Sequence, residues 1–161
     1  MAGTITPCLW FDGQAEDAVR FYTSIFADSA ITYISHYAEN MPMPAGTVLL
    51  VEFTLRGRPM QALNAGPGRP HTEAISLSVD CADQAELDRI WDALLADGGE
   101  PSMCGWLKDR FGVSWQVVPA AMTAMERSAT PAQFQRLMQA MMTMVKLDIA
   151  RLEAAFEGRP A

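Results

Sequence analysis

The sequence predicts an α+β domain assembled from two βαβββ halves. Three observations lead there. Strand-like and helix-like periods alternate in one order and then restart in the same order. A short residue echo, Gln14-Ala15-Glu16 and Gln84-Ala85-Glu86, opens the helix of each half 70 positions apart. Half of the 161 residues are apolar, enough for a sizeable core.

Ile5 to Phe11 reads as a strand that ends at Asp12-Gly13. From Ala15 to Ala27 the residues Ala15, Ala18, Val19, Tyr22, Ile25 and Phe26 fall on one helical face. Three strands are expected next, at Ala30–Tyr37, Thr47–Leu55 and Pro59–Leu63, with Gly57 as the hairpin turn between the last two.

The second half opens with a strand expected at Ala74–Val79, where Ile75, Leu77 and Val79 alternate with small or polar residues. Asp83 caps a helix in which Leu87, Ile90, Trp91, Leu94 and Leu95 follow the i, i+3, i+4, i+7, i+8 pattern, and Gly98-Gly99 ends it. Strands are expected at Glu100–Cys104, Trp106–Lys108 and Val113–Val118, with Asp109 to Gly112 as a turn. Pro119 closes the last strand.

The remainder reads as helix. Thr130-Pro131-Ala132-Gln133 is a capping box with proline at the first helical position. Phe134, Leu137, Met138, Met141, Val145, Ile149, Leu152 and Phe156 line one face up to Gly158, which predicts a single helix ~40 Å long at 1.5 Å per residue. The expected organisation is one domain over residues 1–119, with halves at about 4–66 and 73–119, and a helical extension over 120–161.

Composition limits the function classes. A net charge of −7 with no basic stripe argues against nucleic acid as a partner. The first ten residues lack a signal-peptide pattern, and no stretch reaches the ~18 apolar residues of a membrane span. Cys8, Cys81 and Cys104 are odd in number and widely spaced, which suits a reducing compartment; a cytoplasmic location is expected. Charged residues make up 19%, below the roughly 25% of typical soluble domains. Together with the Met-rich last helix (Met138, Met141, Met142, Met144), that predicts a homodimer.

Three stretches carry a resemblance: Thr6-Pro7-Cys8-Leu9-Trp10-Phe11-Asp12-Gly13, Asn64-Ala65-Gly66-Pro67, and the run from Cys104 through Trp106, Lys108, Asp109, Gly112 and Gln116 to Pro119. They are similar to the PhnB-like branch of the vicinal-oxygen-chelate, or glyoxalase/bleomycin-resistance, superfamily. That branch bears the label 3-demethylubiquinone-9 3-methyltransferase. The resemblance covers essentially the whole chain. It implies that each half curls into a partial barrel and that paired halves enclose a cleft. In metal-using members, His and Glu on the first and last strands hold a divalent ion that polarises substrate oxygens.

Carried over position by position, the implied ligands fall on Pro7 or Cys8, on Ala74, and on Gln61 and Gln116. Proline and alanine cannot ligate through their side chains, and neutral amides are poor ligands for transition ions. No metal and no cofactor are therefore expected. The expectation is a non-metal small-molecule binding protein with ligand contacts at Gln61, Gln116, Trp106 and Lys108. Trp115 is a second, weaker candidate for an apolar pocket wall.

The competing reading is a divalent-metal lyase, isomerase or dioxygenase with ligands elsewhere in the chain; a filled-cleft structural dimer is a third. Methyl transfer finds little support. The Gly66-Pro67-Gly68 cluster runs into Arg69-Pro70 rather than a helix, and the βαβα alternation of the common methyltransferase fold is missing. Cys8 and Cys104 are expected to be buried, inert thiols, because neither His36 nor His71 is brought near them by any pattern. Asp109 and Arg110 read as charges that keep a hairpin soluble.

Overall fold

The structure is a computed structural model that describes residues 5–159. The chain divides into two compact units, one ending at His71 and the other starting at Thr72. The first contains β1 (Cys8–Phe11), α1 (Ala15–Ile25), β2 (Ala30–His36), β3 (Val48–Leu55) and β4 (Arg58–Asn64). The second contains β5 (Leu77–Cys81), α2 (Gln84–Leu95), β6 (Glu100–Pro101), β7 (Trp106–Lys108), β8 (Ser114–Pro119), α3 (Ala120–Ser128), α4 (Pro131–Met141) and α5 (Ile149–Glu157).

The two sheets have one topology. The first has the order β1-β4-β3-β2 and the second β5-β8-β7-β6; in each, the first strand pairs parallel to the last and the other pairings are antiparallel. The repeated grammar of the sequence is thus a repeated βαβββ fold. Cys8 pairs with Gln61 and Ser78 with Gln116. The 70-residue offset of the helix echo also relates Cys8 to Ser78, so Gln61 and Gln116 hold equivalent positions.

In the first unit, α1 turns Ala15, Ala18, Val19, Tyr22 and Ile25 inward, and the sheet answers with Leu9, Phe11, Val51, Phe53, Met60 and Ala62. The helix has no side-chain cap of its own at Gln14. Instead Asn64, at the end of β4, accepts the Ala15 N–H at 2.9 Å and donates to the Val48 carbonyl at 3.0 Å. Trp10 Nε1 donates to Gly66 O at 2.8 Å while the Arg69 guanidinium sits 5.0 Å over its ring. The Asn64-Ala65-Gly66 signature is therefore a structural clasp. The β3–β4 hairpin turns at Arg56 and Gly57, both at positive φ, as a tight two-residue loop requires.

In the second unit, Leu87, Ile90, Trp91 and Leu94 of α2 pack on Val79, Cys81, Leu107, Trp115 and Val117. Asp83 caps α2 by accepting Glu86 N–H at 2.8 Å, as its sequence position predicts. The strand expected at Ala74–Val79 begins later, at Leu77, because residues 73–75 form a turn.

The single long C-terminal helix is not present. The apolar stripe is split between α4 and α5, which pack on each other, and α3 precedes them directly after Pro119. The break has local causes. Asp148 restarts the helix by capping Arg151 N–H at 3.0 Å; the one stripe residue in the connection, Val145, is exposed, while the residues buried there, Met144 and Leu147, lie off the stripe. Gln84 clamps the connection, donating to Leu147 O at 3.1 Å and accepting from Ile149 N at 2.9 Å. Arg136 closes the end of α5 by donating to the carbonyls of Ala155 and Phe156. The capping box at Thr130 and Gln133 forms as expected.

Candidate functional site

Each sheet has a face turned away from its helix, and strand alternation decides which side chains occupy it. In the first unit one cross-strand row of that face reads Cys8, Gln61, Glu52, Tyr33. Gln61 Nε2 donates to Glu52 Oε1 at 3.0 Å, so half of its donor capacity is spent on a carboxylate that the sequence reading did not single out. Glu52 looks in sequence like an ordinary polar residue of an alternating strand; only the register sets it beside Gln61.

Cys8 is exposed on this face rather than buried. The sheet beneath still desolvates its thiol and pushes its pKa up, the opposite of nucleophile activation. His36 lies at the exposed end of β2, and His71 makes an edge contact with Phe11 at 5.1 Å.

In the second unit the corresponding row reads Ser78, Gln116, Trp106. Gln116 Nε2 donates to Ser76 Oγ at 2.8 Å, tying the segment before β5 to the sheet. One pair further along, Ser114 stands opposite Lys108, and Lys108 opposite Glu100. Here lies a groove of about 440 Å³, lined by Glu73, Glu100, Cys104, Trp106, Lys108 and Ser114 among others.

Lys108 Nζ meets Glu73 Oε1 at 2.8 Å. The hydrogen bond, and secondarily the opposite charge, holds the Glu73 carboxyl below the usual carboxylate range and raises the Lys108 ammonium. Ser114 is 2% exposed, and its Oγ has no hydrogen-bond partner among the described residues.

Of the four predicted contacts, Trp106 and Lys108 line this groove. Gln116 is on the same face but outside the lining, and Gln61 belongs to the other unit. Trp115 faces α2 and is core, not pocket wall. Asp109 is likewise not a solubility charge. It is 3% exposed, accepting Phe111 N–H at 2.9 Å, Val113 N–H at 3.0 Å and Trp115 Nε1–H at 2.8 Å. It builds the β7–β8 hairpin and pins Trp115 through it. Cys104 is half-exposed rather than buried, at φ +62° beside Gly105 at φ +80°. The backbone N–H groups of this pair donate to Met144 O and Val145 O, which holds the groove wall to the C-terminal connection.

The implied metal positions can now be tested on register. The position equivalent to Cys8 is Ser78, not Ala74, which lies in the turn before β5. Within each unit the pair at these positions, Cys8 with Gln61 and Ser78 with Gln116, offers no imidazole or carboxylate of the kind a transition ion takes. Among the described residues no three His, Cys, Asp or Glu side chains gather as a metal cluster.

Paired four-stranded βαβββ units, each with one helix on its sheet, define the glyoxalase/bleomycin-resistance fold. The fosfomycin resistance protein FosX from Listeria monocytogenes matches at TM-score 0.58 and 14% identity, over 81% of this chain and 99% of that one. Residues 3–118 match the family described as 3-demethylubiquinone-9 3-methyltransferase, and the chain belongs to that family. A PhnB protein from Bacillus cereus is 38% identical, with TM-score 0.68 over 73% of this chain and all of that one. A protein from Pseudomonas aeruginosa is 23% identical, with TM-score 0.61 over 73% and 98%. No curated protein matches the sequence. Among the described residues no helix is long and apolar enough to cross a membrane.

Proposed function

We propose that this chain is a small-molecule binding protein that contacts its ligand through side chains of the second sheet's free face and not through a metal ion. The observation that carries the reading is the groove over Trp106, Lys108 and Ser114, with a buried, partnerless hydroxyl at its lining. A volume of about 440 Å³ falls within the roughly 300–1,000 Å³ of small-molecule sites, and Trp106 supplies an aromatic wall in a lining that also carries Glu73, Glu100 and Lys108. The donor set at the implied ligand positions supports metal independence.

The family's description names methyl transfer. Against that activity stands the topology: the parallel pairs β1·β4 and β5·β8 each span a whole βαβββ unit, and Gly66-Pro67-Gly68 leads into no helix.

The chain also acts as a homodimer in this reading. Phe134, Met142 and Val145 are large apolar residues left exposed around α4 and its following connection, which favours a covered surface. Light scattering at micromolar concentration is expected to give twice the chain mass; a monomer refutes the assembly.

The ligand site is tested by titrating isotope-labelled protein with a small fragment set and following amide and indole resonances. Shifts should concentrate on Cys104, Trp106, Lys108 and Ser114. Fragments that bind only elsewhere would overturn the reading. Protein purified without chelator and dialysed should carry well under one equivalent of Zn, Ni, Mn or Fe; a stoichiometric ion would overturn the metal-independent part.

A further inference from the structure

Resting on the groove reading above, we infer that the second-sheet groove takes an uncharged ligand whose flat portion lies along Trp106 and whose single carbonyl or hydroxyl group reaches Ser114, displacing the Lys108–Glu73 ion pair.

The floor determines the ligand's polar end. Ser114 Oγ is buried with no partner among the described residues, a state that native structures rarely leave unexplained. A hydroxyl can both donate and accept, so one carbonyl or hydroxyl from a ligand satisfies it. Lys108 is the cross-strand neighbour of Ser114 on the same face, and its ammonium is drawn to Glu73. That ion pair is largely solvent-exposed, with Lys108 at 39% and Glu73 at 66%, and such pairs hold weakly. A ligand can push it aside to reach the hydroxyl.

Charge excludes ions of either sign. Lys108 stands between two carboxylates, bonded to Glu73 and directly across the ladder from Glu100. An incoming anion must take the ammonium from Glu73 and still face Glu100. An incoming cation meets the ammonium itself. An ion of either sign meets a like charge in the same lining, Glu73 and Glu100 for an anion and Lys108 for a cation, and loses hydration as well. A neutral group carries none of these penalties. Trp106 offers the adjacent flat surface, since it lines the same groove two residues from Lys108 on the same strand face.

The test uses three molecules of nearly equal shape that differ in charge: benzamide, benzoate and benzamidinium. Each is titrated into the full chain while the Trp106 indole and Ser114 amide resonances are followed. Benzamide is expected to bind at least tenfold more tightly than either ion. Ser114→Ala should weaken benzamide about tenfold yet leave the melting temperature unchanged or raised, because it removes a buried hydroxyl that has no partner among the described residues. A Ser114 with a purely structural role would instead lower the melting temperature. Glu73→Gln, which loosens the ion pair, should tighten benzamide two- to threefold. If either ion binds in the groove as tightly as benzamide, or if Ser114→Ala leaves benzamide affinity unchanged, the ligand class is wrong and the groove reading survives. If none of the three moves the groove resonances at millimolar concentration, both fall.

Discussion

Asp109 offers the sharpest check on how the sequence holds the groove in shape. Its Oδ1 accepts Phe111 and Val113 N–H at 2.9 and 3.0 Å, and its Oδ2 accepts Trp115 Nε1–H at 2.8 Å. Asp109→Ala deletes all three bonds. The Phe111 amide, part-buried, can turn to water, but the Val113 amide and the Trp115 indole are left in the interior. An orphaned buried donor costs about 1–3 kcal/mol. Two of them, with partial relaxation, should cost ~3–5 kcal/mol, a large share of the roughly 5–15 kcal/mol that holds a domain folded. Asp109→Asn keeps an acceptor for the two amides and opposes an NH₂ to the indole, so it should cost ~1–2 kcal/mol. Urea unfolding followed by tryptophan fluorescence reads both values. Adding Trp115→Phe to Asp109→Asn removes the opposed indole donor and should recover part of the loss. An Ala variant within 1 kcal/mol of the parent, or an Asn variant as damaged as the Ala variant, would refute the assigned role.

Three other perturbations address the frame around the groove. Gly105→Ala puts a Cβ 2.9 Å from Val117 O and 3.0 Å from Leu147 Cδ1 at φ +80°, so it should cost about 2–4 kcal/mol in thermal unfolding; a variant as stable as the parent would show that the turn yields freely. Gln84→Leu removes both bonds to the 147–149 backbone and should speed hydrogen exchange at Ile149 while costing about 1–2 kcal/mol; unchanged protection would mean that packing of Leu147 alone seats the connection. The Glu73–Lys108 pair has a worked sign in pH. A depressed carboxyl contributes stability above its unfolded value and loses it as pH falls through the folded value, whereas the raised lysine loses its contribution only as pH rises through a value above the ordinary lysine range. The pair should therefore persist across neutral pH and open on acidification below the ordinary glutamate range, or at the other end above the ordinary lysine range. Carboxyl NMR should show Glu73 titrating low in the parent and near its ordinary value in Lys108→Met; no difference between the two would refute the coupling.

Local chemistry made most of the fold legible. Period 3.6 placed α1 and α2, Asp83 and the Thr130–Gln133 box marked helix starts, and the restart of the pattern near residue 74 announced the repeat. What stayed hidden depended on distant partners. The C-terminal hairpin was masked because Val145, exposed in the connection, continues the spacing from Met141 to Ile149 by type alone, while the residues the connection buries, Met144 and Leu147, lie off that stripe. A stronger weight on Asp148 as a cap would have found the break. Trp106 and Lys108 could be named from type and strand position. Glu73 could not, since it meets Lys108 from 35 residues away, and Ser114 is notable only for lacking a bond. Glu52 needed the β3–β4 register.

The duplicated fold also accounts for why the groove belongs to the second unit. In the first, β2 and β3 run seven and eight residues, long enough to carry the row Cys8, Gln61, Glu52, Tyr33 across four strands. In the second, their counterparts β6 and β7 have shrunk to two and three residues. The register that sets Glu52 beside Gln61 sets Trp106 beside Gln116, so an aromatic stands where the first unit has an acid. Beyond Trp106 the backbone leaves the sheet through Cys104 and Gly105 at positive φ, and their N–H groups pair with Met144 and Val145 instead of a neighbouring strand. Shortening thus leaves the ladder complete at Lys108 and ends it beyond Trp106, where the C-terminal connection pairs the Cys104 and Gly105 amides. A strand edge that lost its ladder would otherwise leave unpaired amides. The α4–α5 connection therefore serves the groove directly: it supplies the backbone partners for the amides at the end of the truncated sheet.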